Sequence, residues 1–559
     1  MAALLQWGML LRLALAASTA VPPPHPIDLR VEHMPSPVLG LDPARPPRLT
    51  FRLPADSPAG SRCAAARFEL SSKASVVWDS GKVASGETAA VVPAHIALSP
   101  DSTYTWRCQY WLAAGGGAPS AWSEPQPFHT APAARTWSGA AWLNGSAGML
   151  RHQFSAPAEI EEAFVFASTI GFHELRLNAV VLGDGTDKLL EPGVGVYPLR
   201  ALFTTHNVTS LLRPGAPNTL GALLGHGPSC VCSHSGPSPC SDQSNTLPLT
   251  QPQCADITAG GSAAGAGGCK AGSSNGNAFR AVLSLRRRDG SVEHIVSRPV
   301  GWETRPPTWA SPMVYNDMYA GERWDARAAE ATASFWEPGV GVVPAVAASA
   351  IAPAGAGASF VEGGGVNASA VMASSVAPPM RVTKVYPALT VQQAEASSEL
   401  WTFDFGTTLE GVAELAVHGP RGALVKADYA VMLLNGSAAT QFAPQTSVEY
   451  ILSGNGSAAS PEVYRPKFCY FNFRYVTLNV SGLGPGFVPH LGTVTALRIG
   501  SDTTGNAWQR AQRGLGRAER DTAWSAWESD NALLTRYSDL SVRTQLMNMM
   551  SIPMDTPDR

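Results

Sequence analysis

Charge is scarce in this sequence. Lys, Arg, Asp and Glu make up 15% of 559 residues, and 40 basic against 43 acidic side chains leave a net charge of -3. No basic face is available for a phosphate backbone, which argues against nucleic acid as a partner. Past the N-terminus, no apolar run approaches the roughly 18 residues that a membrane-spanning helix needs. Also missing are a P-loop, an H-E-x-x-H pair and a strand-linked G-x-G-x-x-G; Gly193-Val-Gly195 reads as a turn. Nucleotide-binding and zinc-protease chemistry therefore have no foothold.

Turn formers and aromatics are plentiful instead. With 53 Gly, 45 Pro and 15 Trp, the composition favours many short strands joined by turns over long helices. At roughly 150 residues per domain the length calls for about three or four units, so a mainly β, multi-domain chain is expected. Three signals point to a secreted or lumenal protein. Residues 1–20 are apolar and end in Ser18-Thr19-Ala20, as a signal peptide does. Asn-X-Ser/Thr sites begin at Asn144, Asn207, Asn367, Asn435, Asn455 and Asn479. The 8 cysteines are even in number, and Cys230, Cys232, Cys240, Cys254 and Cys269 crowd one region.

Residues 27–131 read as a β-sandwich. Tyr104, Trp106, Cys108 and Tyr110 put a bulky side chain at every second position, as a strand with one buried face does. The phrase 103–108, followed by Ser120-Ala121-Trp122-Ser123, resembles the closing hairpin of a fibronectin type III domain. A second β unit spans 136–337 and carries an insertion at 228–277. That insertion is too rich in Gly and Ser to build a core, so a disulfide-tied surface loop is expected there. Cys230, Cys232, His234 and Cys240 lack paired C-x-x-C spacing, so disulfides are the reading and no metal site is assigned. Residues 338–378 read as a linker, and 379–497 as a third sandwich. In that sandwich Asp404 and Glu410 are lone carboxylates near turns, for which solvated or capping roles are expected. After Ser529 or Asp530 as a polar cap, Leu533, Tyr537, Leu540 and Met547 fall at helical spacing.

The stretch 309–327 mixes Trp309, Tyr315, Tyr319 and Trp324 with Asp317, Glu322 and Asp325. Aromatic faces stack on sugar C–H surfaces and carboxylates accept sugar hydroxyls, so carbohydrate recognition is one reading. The other is that the aromatics are core and the carboxylates pair with Arg323 and Arg327. Composition alone favours the second.

The same stretch is similar to a signature of the bacterial-type inverting α-L-rhamnosidase family, where a phrase close to Y-N-D-I-Y-x-G-E-x-Y-D-A-R closes a jelly-roll domain. Other phrases follow in order. Residues 29–32 with 46–53 resemble the family's opening, and 171–178 its G-x-x-E-L-x-x-N-G strand. Residues 381–387 and 403–406 resemble the start of a third, concanavalin-like domain, and 464–475 its closing strand, W-x-P-x-F-x-Y-x-G-F-R-Y. The resemblance covers nearly all of the chain after Asp28.

It implies tandem β-sandwiches, fibronectin III-like, jelly-roll and concanavalin-like, followed from about residue 500 by the start of an (α/α)6 catalytic barrel. It also implies hydrolysis of terminal α-L-rhamnosyl groups with inversion, hence a rhamnose-containing glycoside or polysaccharide as partner. Inversion needs a protonated and a charged carboxyl roughly 6.5–9.5 Å apart across the sugar. Residues 551–559 align with S-V-P-T-D-C-P-x-R, which gives Asp555 a role in holding rhamnose hydroxyls and places Arg559 beside it. The two catalytic carboxyls are expected beyond Arg559, so none of the described motifs supplies a catalytic residue. Some relatives bind sugar, at times with calcium, in the jelly roll; here Asp184 is the surviving candidate ligand, and Asn316, Asp317 and Glu322 are further candidates for accessory sugar contacts. No other cofactor is expected. A non-catalytic carbohydrate-binding β-sandwich protein is the alternative.

Overall fold

The computed structural model describes residues 23–54, 57, 60–73, 75–113, 117–144, 148–183, 188–193, 200–225, 227, 278–305, 311–318, 321–339, 346–350, 371–375, 377–394, 397–434, 437–438, 446–484, 486–502 and 529–553. Chain contacts divide it into two units, 1–133 and 134–559.

The first unit is a sandwich of a four-stranded and a six-stranded sheet. Its longest strands, Cys63–Ser72 and Thr103–Leu112, run antiparallel with Phe68 opposite Cys108. The alternation in 103–110 is realised: Tyr104, Trp106, Cys108 and Tyr110 are buried, packed with Phe51, Phe68 and Phe128. Burying each such side chain stabilises by roughly 1.5–3 kcal/mol. The Ser-Ala-Trp-Ser phrase substitutes for a missing strand partner. Ser123 Oγ accepts from the Cys108 amide and Ser120 Oγ from the Tyr110 amide, both at 3.0 Å. Between them Trp122 offers its face to the Arg107 guanidinium, 4.5 Å from the ring centre.

The second unit begins with a jelly roll of two sheets. One is ordered Ser349–Ala350, Leu143–Asn144, Ala278–Arg287, Ile160–Ile170, Arg200–Asn207, Val371–Ser374. The other is ordered Val180–Val181, Phe172–Leu177, Pro217–Gly225, Met149–Ser155, Trp302–Thr304, Val346–Ala347. They share one core, in which Leu175, Leu220 and Trp302 of one sheet meet Val165, Phe279 and Leu283 of the other. A ten-stranded sheet follows, built mainly from Leu400–Val417, Phe471–Asn479, Val494–Ser501, Met380–Pro387, Leu424–Ala430 and Ser447–Ile451.

Two expectations change. The presumed linker is partly sheet: Val346–Ala347 pairs with Trp302–Thr304, and Val371–Ser374 runs parallel to Arg200–Asn207. Runs of Val and Ala without polar periodicity suit strands that sit on a sheet already formed. The hairpin Met313–Asp317/Gly321–Asp325 does not close the jelly roll. Gly321–Asp325 runs parallel to Ser447–Ile451 in the third sandwich. At Gly321, with φ +118, a Cβ would lie 1.7 Å from the Ser447 carbonyl oxygen, so only glycine lets the two backbones approach.

Candidate functional site

The signature hairpin is bound into a joint between the jelly roll and the third sandwich. Glu322 is 1% exposed and accepts from the Tyr464 hydroxyl, from Lys467 N at 2.7 Å and from Phe468 N at 2.8 Å. Burial raises its pKa, and these donors hold the shift in check. Lys467 then reaches back to Glu174 of the jelly roll at 2.5 Å, where Arg176 also pairs with the carboxylate at 2.5 Å. Burial opposes ionisation of Glu174, but Lys467 and Arg176 outweigh it and hold its pKa at about 2. Lys467 also sits over the Trp324 ring and Arg176 over Trp336. The sugar contact anticipated for Glu322 gives way to this anchoring, because three internal donors already occupy its two oxygens.

The aromatic and carboxylate residues of 309–327 therefore divide. Trp324 is core, and Asp325 caps the helix Ala326–Thr332 through Arg327 N while pairing with the Arg327 guanidinium at 2.8 Å. Arg323 pairs instead with Glu449. Asn316 is buried as the strand partner of Glu322. The side chain of Asp317, and Trp309 and Tyr319, lie outside the described residues, as do Asp184, Asp555 and Arg559 and the clustered cysteines of 228–277. Cys63, Cys108 and Cys469 are buried thiols.

The two lone carboxylates of the third sandwich behave differently from one another. Asp404 caps as expected, accepting from Gly406 N at 2.6 Å and holding Arg474 through both oxygens. Glu410 is neither solvated nor a cap. It is fully buried, neither oxygen has a hydrogen-bond partner, and burial raises its pKa to about 8 against the lowering field of Arg498. Its strand partner Asn472 likewise has an Oδ1 without a partner.

The C-terminal helix spans Ala532–Met547 and is capped by Asn531, whose side chain accepts from Leu533 N. That moves the cap one or two residues beyond Ser529 or Asp530. The helix buries none of its residues, and Leu533 and Tyr537 are 73% and 71% exposed. Two bonds place it on the third sandwich: Arg543 donates to Thr408 O at 2.6 Å, and Ser551 N to Ser501 Oγ at 2.8 Å. Met550, in the short hairpin Met549–Met550/Ile552–Pro553, is buried in the core of that sandwich.

A further cluster had no counterpart in the sequence reading. His206 Nε2 lies 2.5 Å from Glu191 Oε2, and His173 Nε2 lies 3.7 Å from the same oxygen. All three side chains are buried, with Thr169 Oγ1 at 2.5 Å from His173 Nδ1. Burial opposes ionisation of Glu191, yet the imidazoles and Lys188 outweigh it and hold the carboxyl well below its usual range. Desolvation pushes His206 down. The only hint in the sequence is that His173 falls inside the strand-like phrase 171–178. Among the described residues, no group of three or more His, Cys, Asp or Glu is arranged to hold a metal ion, and no helix is long and apolar enough to cross a membrane.

Three family descriptions match the chain in order. They are the Rha78A-like N-terminal immunoglobulin domain at 26–134, the α-L-rhamnosidase N-terminal domain at 158–243 and the bacterial α-L-rhamnosidase concanavalin-like domain at 394–498. The chain belongs to the α-L-rhamnosidase family. An α-L-rhamnosidase of Streptomyces avermitilis is 26% identical over 386 residues, 66% of this chain and 31% of its own length. The solved α-L-rhamnosidase of Dictyoglumus thermophilum has a TM-score of 0.71 at 22% identity, covering 96% of this chain and 53% of that one. The Streptomyces avermitilis α-L-rhamnosidase complexed with L-rhamnose has a TM-score of 0.69 at 20% identity, covering 96% and 61%. The chain thus spans from about a third to three fifths of the length of these relatives. Within this α-L-rhamnosidase framework, the described carboxylates around the joint are engaged in ion pairs and backbone acceptance. They organise domains rather than face one another across a sugar.

Proposed function

We propose that these domains serve an α-L-rhamnosidase that releases terminal α-L-rhamnosyl groups with inversion of configuration. The observation that carries the reading is the ordered match of three family domains to 26–134, 158–243 and 394–498. Asp555 is assigned to sugar hydroxyls and Arg559 to a place beside it, on the resemblance of 551–559 alone. The structure's contribution is mechanical. The Lys467–Glu174 pair beside Glu322 ties the third sandwich to the jelly roll, and the Ser551–Ser501 and Arg543–Thr408 bonds set the segment that leads towards Asp555 on that base. Holding a sugar-binding group on rigid elements is what a reaction dependent on two opposed carboxyls requires. Export from the cell fits the reading, since Asn207 and Asn455, two glycosylation acceptors, are exposed.

Two measurements test the proposal. The transcript downstream of the codon for Arg559 is expected to continue in frame with a D/E-E-x-x-G-W phrase and a barrel's length of coding sequence. A stop with no such exon would favour a sugar-binding β-sandwich protein instead. The purified 559-residue chain is expected to release no p-nitrophenol from p-nitrophenyl α-L-rhamnoside above buffer. Turnover would show that it carries its own pair of opposed carboxyls.

A further inference from the structure

The Glu191 cluster sits at one end of a short relay. Residues 188–193 leave the jelly roll, and their backbone is tied on two sides. His173 N donates to Glu191 O at 2.9 Å, and Leu189 N donates to Met380 O at 2.9 Å, where the third sandwich starts. The Lys188 ammonium holds the Thr205 carbonyl. Leu190 is buried in the same core as Met380 and Met550. At the far end Gly193, with φ +86, abuts the C-terminal hairpin so closely that a Cβ there would lie 2.3 Å from Ser551 Oγ. One buried carboxylate, Glu191, therefore anchors a segment that touches both the third sandwich and the turn four residues before Asp555.

We propose that Glu191 and His206, with His173 behind them, are positioning residues that latch segment 188–193 against the C-terminal hairpin and release it on acidification. The inference rests on the reading of Asp555 as a sugar-holding group for its functional meaning, but the latch itself is independent of any sugar. In the closed state neutral His206 donates Nε2–H to ionised Glu191. The groups facing this pair are His173, Thr169 and Lys188, from Phe172–Leu177, Ile160–Ile170 and the 188–193 segment itself. Because burial depresses His206, protonation disfavours the closed state as pH falls below about 6.5, the ordinary histidine value. Glu191 stays ionised across this range, so the event that opens the latch is the charging of His206.

The test is amide hydrogen exchange on the intact 559-residue chain without sugar, read as protection factors at 549–552 and 189–193 relative to Thr103–Leu112 in the first unit. Between pH 7.5 and 5.0 the relative protection at both segments is expected to fall, while that of Thr103–Leu112 holds. A flat profile overturns the latch. His206→Gln keeps a donor at the Nε2 position but does not titrate, so its protection is expected to stay at the neutral-pH level throughout. A purely structural role for His206 would leave the pH profile in place, and such a result overturns the assignment. Gly193→Ala leaves the cluster intact but wedges Ser551, and is expected to lower protection at 549–552 at every pH while 189–191 keeps its pH dependence; unchanged protection at 549–552 overturns the contact. A failed glycosidase or transcript result would not touch these outcomes, and their failure would leave the rhamnosidase reading standing.

Discussion

Glu322 and Glu410 are two fully buried carboxylates of one ten-stranded sheet, and they live under opposite conditions. Glu322 receives three donors from the 464–468 segment, whereas both oxygens of Glu410 go without a partner. The free energy of a buried charge is decided by its donors, not by its depth. Glu322 binds two distant stretches of chain together, while Glu410 stores an electrostatic cost that neutralisation relieves.

The largest expected effect separates them by pH. The folded-state pKa of Glu410, about 8, lies above its ordinary value, so stability is full below about 4.5 and is lost as pH rises towards 8. Glu410→Gln removes this dependence and should gain on the order of 4 kcal/mol over wild type between pH 5 and 9, measured by urea unfolding of the second unit. A variant whose stability tracks wild type across that range would show that Glu410 has a partner. Glu322→Gln should do the reverse, costing about 3 kcal/mol near neutral pH, since an amide cannot accept from all three donors. An unfolding midpoint unchanged by that substitution would break the contrast. A smaller effect, about 1–2 kcal/mol, is expected for Lys467→Met, which strips Glu174 of its partner across the joint. Since Glu174 is held at about 2, its wild-type contribution is present above about 4.5 and fades as pH falls through 2. The Lys467→Met deficit should therefore shrink in acid. Least affected should be Leu533→Gln and Tyr537→Gln on the exposed face of the C-terminal helix, within about 0.5 kcal/mol.

The contrast also marks what a sequence can disclose. Alternation in 103–110 is local, and the structure buries Tyr104, Trp106, Cys108 and Tyr110 accordingly, breaking the pattern only at Gln109, which is buried as well. The family phrases at 309–327 and 464–475 were legible as two separate matches. Their meeting was not, because the donors of Glu322 lie about 140 positions downstream. The same distance hid the parallel pairing of Gly321–Asp325 with Ser447–Ile451, and so the hairpin's place in the third sandwich. Glu410 was misread for a related reason. Its neighbours in sequence suggest a turn, but burial is conferred by strands that return later. The Glu191 cluster joins three strand-like or loop segments that no local period connects. Of the candidate site, the family framework was readable, whereas the partners that give each carboxylate its role were tertiary.

The central claim is that the two phrases form a single joint around Glu322. A double-mutant cycle of Glu322→Gln and Tyr464→Phe, followed by urea unfolding of the second unit, tests it most directly. A coupling energy of at least about 1 kcal/mol is predicted for residues sharing one buried network, and additivity within about 0.3–0.5 kcal/mol would contradict it.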